Sequence, residues 1–182
     1  MENDWYVVTP EYDNNDFIDD VIKEGEASGF MQAEVDNSAP DTIARDCKVS
    51  WIRKNEIIQQ VIQLFGPIHE KVEYNIDALE ALQYTVYEKG HFYNWHIDSR
   101  ENIDGKIRKY SMTMWLNDPK EYEGGDLEIE MGGPFEQSNI QTFRKEKGHI
   151  IFFHPHCWHR VTPITKGVRK SLVGWFCGSP WK

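Results

Sequence analysis

The sequence predicts a mainly β protein of the α+β class, in which N-terminal helices pack on one outer face of a jelly-roll barrel. Two observations support this fold. The hydrophobic period is helical before residue 78 and close to two after it, and Gly and Pro residues separate the later apolar segments. We expect one domain over residues 1–182, with a helical and mixed support region at 1–78 and the barrel at 79–178.

Two amphipathic helices are predicted in the N-terminal region. Asp16–Ala27 carries an apolar stripe, and a second helix runs from Glu56 to about Tyr74 with apolar residues at three- and four-residue steps. Gly66-Pro67 should kink or split this second helix, because proline removes a backbone hydrogen bond. Short strands are expected between the helices, around Ala44 to Ile52.

Eight strands are predicted after residue 78, and the alternation of apolar and acidic residues is plainest from Leu127 to Met131. About eight short strands in roughly 100 residues favour a sandwich or jelly roll over a sheet built from βαβ units. The predicted strands are Leu79–Tyr87, Phe92–Ile97, Lys109–Leu116, Leu127–Met131, Ile140–Phe143, His149–Phe153, Trp158–Val161 and Arg169–Cys177.

The charge balance disfavours two classes of partner. The chain has 20 Lys and Arg against 30 Asp and Glu, a net charge of -10, whereas nucleic acids and anionic membranes bind cationic surfaces. No apolar run approaches the roughly 18 residues of a membrane span. The first residues, M-E-N-D-W, lack the basic-then-apolar order of a signal peptide, so we expect a cytoplasmic protein with no nucleic-acid or membrane partner.

A histidine and an aspartate lie two residues apart at the end of a predicted strand. In an extended strand, the side chains of His96 and Asp98 leave the same face. An imidazole and a carboxylate on one face, joined by a distant histidine, form the facial triad that holds Fe(II) with open coordination positions. Taken alone, the H-x-D motif is a weak signal, and a structural or surface pair is the more common origin of this spacing.

The distant histidine has three candidates, His154, His156 and His159, and together these three could instead form a His-rich zinc site. His159 is favoured by the segment that follows it. A turn over Pro163 to Gly167 would set Arg169 opposite His159 across an antiparallel pair. A buried arginine needs an anion and suits a carboxylate, so a dicarboxylic keto acid bound to Fe(II) would satisfy both residues.

Three segments resemble the 2-oxoglutarate, Fe(II)-dependent oxygenases, and are most similar to the prolyl hydroxylase branch with its bacterial PKHD-type enzymes. They are Y-E-K-G-H-F-Y-N-W-H-I-D at 87–98, G-G-D-L at 124–127 and H-R-V-T-P-I-T-K-G-V-R-K-S at 159–171. The resemblance covers about residues 79–176 and implies a double-stranded β-helix, the cupin-like form of the jelly roll. Residues 1–78 carry no motif of the family.

The resemblance also implies roles for individual residues. His96, Asp98 and His159 would hold the iron, and Arg169 would bind the distal carboxylate of 2-oxoglutarate. The other residues implied in cosubstrate binding are Tyr87, Ser171 and Ser111. The residues implied in substrate binding are Tyr93, Arg108, Trp175 and Trp115. Ser111 and Trp115 depart from the commonest residues of the family at their positions, and aligning Arg108 requires an insertion after Asp98.

The family resemblance implies an oxygenase that uses Fe(II), 2-oxoglutarate and O2, with support from ascorbate. Its reaction would hydroxylate a prolyl residue in a peptide or protein and release succinate and CO2. The alternatives are a hydroxylase of a free amino acid or another small molecule, and a cupin-like module that binds metal without turnover. A nucleic-acid demethylase is disfavoured by the charge. The same charge predicts that a polymeric substrate is neutral or basic, and that Arg169 and neighbouring cations reverse the field locally.

Overall fold

The computed structural model describes residues 5–9, 14–33, 44–72, 74–100, 104–130 and 139–180. It contains two α-helices and fifteen strands in this part of the chain. The helices are Asn15–Ala27 (α1) and Asn55–His69 (α2). The strands are Trp5–Val8 (β1), Met31–Gln32 (β2), Arg45–Asp46 (β3), Lys48–Ile52 (β4), Ala78–Leu79 (β5), Leu82–Tyr87 (β6), Phe92–His96 (β7), Ile107–Trp115 (β8), Tyr122–Gly124 (β9), Leu127–Glu130 (β10), Ile140–Phe143 (β11), Ile150–Phe153 (β12), His159–Val161 (β13), Ile164–Gly167 (β14) and Arg169–Gly178 (β15).

The strands form two facing antiparallel sheets and one small ribbon. The larger sheet has the order β1-β12-β8-β15-β6-β4-β2, with β5 also paired to β15. The smaller sheet has the order β11-β10-β13-β7-β3, and β14 pairs with β9. This arrangement confirms the predicted jelly-roll barrel of the double-stranded β-helix type.

Strand β6 shows how the larger sheet is buried on both faces. Leu82, Tyr84 and Val86 belong to the apolar core that contains the helices, whereas Tyr87 belongs to the core between the two sheets. Because successive side chains point to opposite faces, the whole strand is buried although its inner face carries polar residues. The inner face of the larger sheet can therefore present polar groups to the barrel interior.

Both helices pack on the outer face of the larger sheet, as predicted. Their stripes, which include Val21 and Val61, contact the outward side chains of β6, β8 and β15. The second helix does not split at Gly66-Pro67; it continues through Pro67 and ends at His69. Since a proline removes only the hydrogen bond of its own amide, the helix can continue for part of a turn before it stops. Neither described helix is long and apolar enough to span a bilayer.

The predicted pairing between the strands of His159 and Arg169 is wrong. Strand β13 pairs with β10 and β7 in the smaller sheet, whereas β15 pairs with β6, β8 and β5 in the larger one. Residues 164–167, expected to lie in a turn, form β14 and pair with β9. The chain therefore crosses between the sheets here, and His159 faces Arg169 across the barrel interior.

Strand boundaries otherwise differ from the prediction by small amounts. The predicted strand Leu79–Tyr87 is divided into β5 and β6, and the end of another, Met131, lies outside the described residues. Strands β1, β2, β9 and β14 were not predicted. They are two to four residues long, too short for a period of two to be visible in sequence.

Candidate metal centre and anion pocket

His96, Asp98 and His159 come together at one end of the smaller sheet. His96 is the last residue of β7 and His159 the first of β13, and the two are register partners. Asp98 lies in the loop after β7, where its amide donates a hydrogen bond of 2.8 Å to the carbonyl of Pro155. One potential ligand atom from each of the three side chains lies within 4.8 Å of the others.

Backbone carbonyls orient both imidazoles. Nδ1 of His96 lies 2.8 Å from the carbonyl oxygen of Asn94, and Nδ1 of His159 lies 2.9 Å from that of Cys157. A carbonyl can only accept, so each Nδ1 carries a proton, and Nε2 is the ring atom that would bind a metal ion. Nε2 of His96 lies 3.8 Å, and that of His159 3.5 Å, from the carboxylate oxygens of Asp98.

The surroundings of the carboxylate favour its charged form. Burial alone would raise the pKa of Asp98, but His159, His96 and a hydrogen bond from Ser111 outweigh it and hold that pKa far below its usual range. Burial, together with the neighbouring His159, lowers the pKa of His96 to about 3. The cluster therefore offers two imidazoles, of which that of His96 is neutral at neutral pH, and one anionic carboxylate, and this set of side chains suits Fe(II).

Ser111 is a partner of Asp98 in the structure. Its hydroxyl donates a 2.7 Å hydrogen bond to Oδ2 of that carboxylate, and the residue is fully buried. The family resemblance had implied a contact with the cosubstrate. In the structure the hydroxyl orients the third ligand of the cluster.

A cavity of about 350 Å³ opens in front of the three ligands. Of the predicted site residues, Tyr87, Tyr93, Arg108 and Trp175 line it together with the ligands themselves. The ring of Tyr93 stacks on His96, with centroids 3.5 Å apart and planes 13° from parallel. The cavity thus has one polar wall at the ligands and aromatic side chains around the space in front of them.

Arg169 is buried on the inner face of the larger sheet, opposite Tyr87 in the register of β15 and β6. Its Nη1 donates a 3.1 Å hydrogen bond to the hydroxyl of Ser171, while Nε and Nη2 have no partner among the described residues. Its guanidinium carbon lies 5.4 Å from the ring centre of Tyr87 and 5.9 Å from that of Trp115. A buried cation with two unused donors fits the carboxylate of a bound acid.

Two further buried donors adjoin Arg169. The indole Nε1 of Trp115 and the hydroxyl of Tyr122 also lack partners among the described residues. Burial raises the pKa of Tyr122, and the nearby charge of Arg169 opposes that rise in part. Gly125 makes room here, since a Cβ at this position would lie 3.0 Å from Cδ of Arg169. We call Arg169, Trp115, Tyr122 and Ser171 the anion pocket.

Two aspects of the anion pocket differ from the sequence prediction. Trp115, implied in substrate binding, does not line the cavity but lies behind it, beside Arg169. Tyr122 was not singled out at all. The signal that could have found it is its position two residues before Gly124-Gly125, where positive φ angles let the chain turn back toward Arg169.

Arg108 connects the cavity wall to the loop that carries Asp98. It forms a two-pronged ion pair with Glu80 at 2.9 and 2.7 Å, and its Nη1 donates a 3.1 Å hydrogen bond to the carbonyl of Asp98. Its guanidinium lies 3.9 Å from the ring centre of Trp175. Glu80, which sequence reasoning missed, therefore neutralises and positions a residue of the site.

We expect replacement of Glu80 by glutamine to destabilise the fold near neutral pH. Burial alone would raise the pKa of Glu80, but the hydrogen bonds and charge of Arg108 outweigh it and hold that pKa below 4.5. A lowered pKa stabilises the folded state above the unfolded pKa, and this contribution is lost as pH falls through the folded pKa. Urea unfolding at pH 7 should show a loss of about 1–3 kcal/mol for Glu80→Gln.

The same unfolding measurement below pH 4 distinguishes the charge effect from general disruption. The difference between wild type and Glu80→Gln should shrink there, because the wild-type carboxyl is increasingly protonated. A difference that stays constant from pH 7 to pH 3 would contradict this account of the Glu80–Arg108 pair.

The alternative zinc site of His154, His156 and His159 is not present. The rings of His154 and His156 stack on each other with centroids 5.1 Å apart, but the metal-capable cluster that contains His159 is completed by His96 and Asp98. Among the described residues, this cluster is the one with three donors close enough to share an ion.

Two imidazoles and one carboxylate inside a double-stranded β-helix, with open space in front of them, define a non-haem iron oxygenase site. Residues 82–177 match the 2OG-Fe(II) oxygenase superfamily, and the chain belongs to that superfamily. Membership implies Fe(II), 2-oxoglutarate and O2, and the chemistry of the His-Asp-His cluster and the anion pocket fits the first two.

Relatives in sequence are PKHD-type hydroxylases. The chain is 31% identical over 157 residues to one from Prochlorococcus marinus, which covers 84% of this chain and 65% of the relative. It is 34% identical over 89 residues to one from Idiomarina loihiensis, which covers 49% of this chain and 38% of the relative. The chain therefore spans about two fifths to two thirds of the length of these relatives.

Solved structures share the fold at low sequence identity. A viral collagen prolyl hydroxylase from Paramecium Bursaria Chlorella virus-1 has a TM-score of 0.72 at 18% identity and covers 97% of both chains. A Pseudomonas putida prolyl-4-hydroxylase has a TM-score of 0.71 at 20% identity and covers 95% of this chain and 91% of its own. These similarities agree with the predicted resemblance to the prolyl hydroxylase and PKHD-type branch.

Proposed function

We propose that this protein is a dioxygenase that hydroxylates a prolyl residue in a peptide or protein and converts 2-oxoglutarate into succinate and CO2. The observation that carries the proposal is the pair of unused donors on buried Arg169, Nε and Nη2, behind the His-Asp-His cluster. A protein that only held a metal would gain nothing from an uncompensated buried guanidinium, which is costly unless a ligand pairs with it.

Each end of the cosubstrate has a matching set of residues. His96, Asp98 and His159 would hold Fe(II) and leave coordination positions for the keto acid end, while the anion pocket would take the distal carboxylate. Iron and 2-oxoglutarate would supply the oxidation of an unactivated C–H bond by O2. Tyr87, whose pKa is raised chiefly by burial, stays a neutral donor between the two ends.

The cavity walls support a prolyl substrate. Tyr93 and Trp175 line the space in front of the ligands, and Trp51 stands 6.5 Å from Trp175 between ring centres. Aromatic faces suit a flat, aliphatic pyrrolidine ring and exclude water from the reacting C–H bond. A prolyl hydroxylase from Trichoplax adhaerens, solved in complex with a hypoxia inducible factor peptide fragment, has a TM-score of 0.70 at 17% identity.

The first test needs no substrate. Anaerobic addition of Fe(II) and 2-oxoglutarate should produce the weak visible charge-transfer band of the chelate. The band should be absent in His96→Ala, and in Arg169→Ala it should require much more 2-oxoglutarate. Absence of the band in wild type, or a band unchanged in both variants, contradicts the proposal.

The second test concerns the substrate. With O2 and with or without ascorbate, the protein should add the mass of one oxygen atom to some peptides that contain proline and to none of the matched peptides with alanine in its place. Formation of succinate should accompany the modification. Activity confined to free amino acids would contradict the prolyl peptide assignment while leaving the oxygenase assignment in place.

Replacing Tyr122 with phenylalanine should weaken 2-oxoglutarate binding. Its hydroxyl is a buried donor beside Arg169, and loss of one hydrogen bond to a charged group should raise the half-saturating concentration of 2-oxoglutarate roughly tenfold. Titration of the chelate band measures this directly, and Fe(II) binding should not change.

The matched control for Tyr122 is Tyr84→Phe. The Tyr84 hydroxyl lies on the helix side of the larger sheet, 3.5 Å from Glu26. Its loss should leave the 2-oxoglutarate titration unchanged. If wild type and Tyr122→Phe have the same half-saturating concentration of 2-oxoglutarate, the Tyr122 hydroxyl does not contribute to binding of this acid.

A further inference from the structure

Two open depressions adjoin the candidate catalytic cavity, because each shares lining residues with it. The first, about 340 Å³, shares Ser99, Arg100 and Arg108 with the cavity and continues to Lys109 and His156. The second, about 610 Å³, shares Trp51 with the cavity and continues to Arg53 and Lys54. We call the cavity with these two depressions the substrate groove. Three adjoining spaces of about 350, 340 and 610 Å³ suit a polypeptide segment better than a single amino acid.

The charge of the substrate groove is opposite to that of the protein. Among the described residues that line it, six carry a positive charge and two a negative one, and one of the two is the metal ligand Asp98. The six cations are Arg45, Arg53, Lys54, Arg100, Arg108 and Lys109, and the second acid is Glu24. The whole chain has 30 acids and 20 bases, so this concentration of positive charge is local.

Arg45 adjoins the metal-capable cluster through the ring of Tyr93. Its guanidinium carbon lies 4.4 Å from the ring centre of Tyr93, the ring that stacks on His96. Since two groups cannot share one face of that ring, the guanidinium lies on the face away from His96. Strand β3 places it there, because Arg45 is the register partner of Tyr93.

The hydrogen-bond partners of Arg45 are neutral. Nη2 donates a 2.8 Å hydrogen bond to the amide oxygen of Gln83, and Nε lies 3.1 Å from the sulfur of Cys47. Burial raises the pKa of the Cys47 thiol, so the thiol is not an anion at neutral pH. Arg45 forms no ion pair with a carboxylate of the described residues.

Arg108 and Arg100, which also line the cavity, share an acidic partner. Glu80 pairs with Arg108 and lies 3.6 Å from Nη2 of the exposed Arg100, so one carboxylate faces two guanidinium groups. A divalent metal ion, Asp98 and Arg169 together would carry two positive charges, which the two carboxylates of 2-oxoglutarate would cancel. With both bound, Arg45 would be a partly buried cation of the cavity wall that has no carboxylate partner among the described residues. A substrate that brings its own carboxylate would remove the cost of that charge.

We propose that the substrate is an acidic polypeptide segment, in which a glutamate or aspartate close to the hydroxylated residue pairs with Arg45 and further acids contact the basic ends of the groove. This inference rests on the proposed function and narrows its substrate class. It replaces the neutral or basic polymer that the net charge alone favoured.

Paired peptides test the proposal. Each pair has a central proline and differs only by glutamate or glutamine at one flanking position, and succinate formation and oxygen incorporation are measured for both. At low salt at least one glutamate peptide should have a kcat/KM at least about tenfold above its glutamine partner. High salt should reduce the preference, because part of the groove is open to solvent.

Variants assign the preference to Arg45. Arg45→Gln should bring the two peptides within about twofold of each other, while Arg45→Lys should keep part of the preference because it keeps the charge. The control Lys23→Gln removes an exposed cation from α1, outside the groove, and should preserve the full preference. Thermal unfolding and the chelate band confirm that each variant is folded and binds its cosubstrate.

The outcomes separate the two proposals. If wild type forms the chelate but turns over or binds acidic and neutral peptides equally, the proposal of an acidic substrate is wrong. The oxygenase assignment would still hold. A preference that survives Arg45→Gln overturns the role of Arg45. Absence of the chelate in wild type is instead the failure of the proposed function.

Discussion

Replacing Asp98 with alanine is expected to abolish measurable turnover, with a loss of more than about 100-fold. The carboxylate is the one anionic group of the metal-capable cluster, and its pKa is held far below the usual range by His159, His96 and Ser111. Without it, two imidazoles alone would bind Fe(II) weakly. Isothermal titration with Fe(II) under argon and oxygen-dependent succinate formation should both show the loss.

A graded control accompanies this substitution. Ser111→Ala keeps all three ligands but removes the 2.7 Å hydrogen bond to Asp98, and loss of such a supporting bond should reduce metal affinity or turnover about tenfold. The order wild type, Ser111→Ala, Asp98→Ala should hold in both measurements. Undiminished Fe(II) binding by Asp98→Ala would show that the metal lies elsewhere.

Replacing Gly25 with alanine should destabilise the protein, although alanine is the better helix former by about 1 kcal/mol. A Cβ at this position would lie 2.4 Å from Cγ and Cδ1 of Tyr84, which is anchored in β6 at the centre of the core. Helix α1 would have to move off the sheet, and it would strain the 2.6 Å hydrogen bond from Ser50 to the Gly25 carbonyl. Overpacking of this kind costs about 1–3 kcal/mol, so Tm should fall by several degrees.

The control is an alanine on the exposed face of the same helix. Asp20→Ala gains helix propensity without a new contact and should leave Tm within about 1 °C of wild type or raise it. Differential scanning calorimetry of wild type, Gly25→Ala and Asp20→Ala would measure the three Tm values. A Gly25→Ala protein as stable as Asp20→Ala would mean that α1 does not approach β6 as closely as the structure shows.

Local patterns were enough to predict much of the fold and to single out the three residues that the structure brings together as a metal-capable cluster. The period-two alternation located most long strands of the barrel, and the same period placed His96 and Asp98 on one side of the chain. Both helices follow from their apolar stripes. These features depend on residues close in sequence, which is why they can be read without the tertiary structure.

Contacts between distant segments could not be predicted in this way. The pairing partner of β13 depends on which strands meet across the barrel, and the local turn signal at residues 163–167 pointed to the wrong one. The roles of three residues depend on partners in other segments of the chain. Glu80 pairs with Arg108, Tyr122 lies near Arg169, and Arg45 is the register partner of Tyr93. An isolated charged or aromatic residue in sequence carries no sign of such a partner.

The proposed metal site and the anion pocket lie in different sheets, so binding of the metal and binding of 2-oxoglutarate should depend differently on the spacing between the sheets. The three residues that would hold the metal belong to the smaller sheet and its adjoining loop, whereas the anion pocket is centred on the larger sheet. A metal ion would therefore bind residues of one sheet and its adjoining loop. 2-Oxoglutarate would contact both sheets and bridge the space between them. Core substitutions that change the spacing of the sheets should alter affinity for the cosubstrate more than for the metal, and cosubstrate binding should in turn raise the energy needed to separate the sheets.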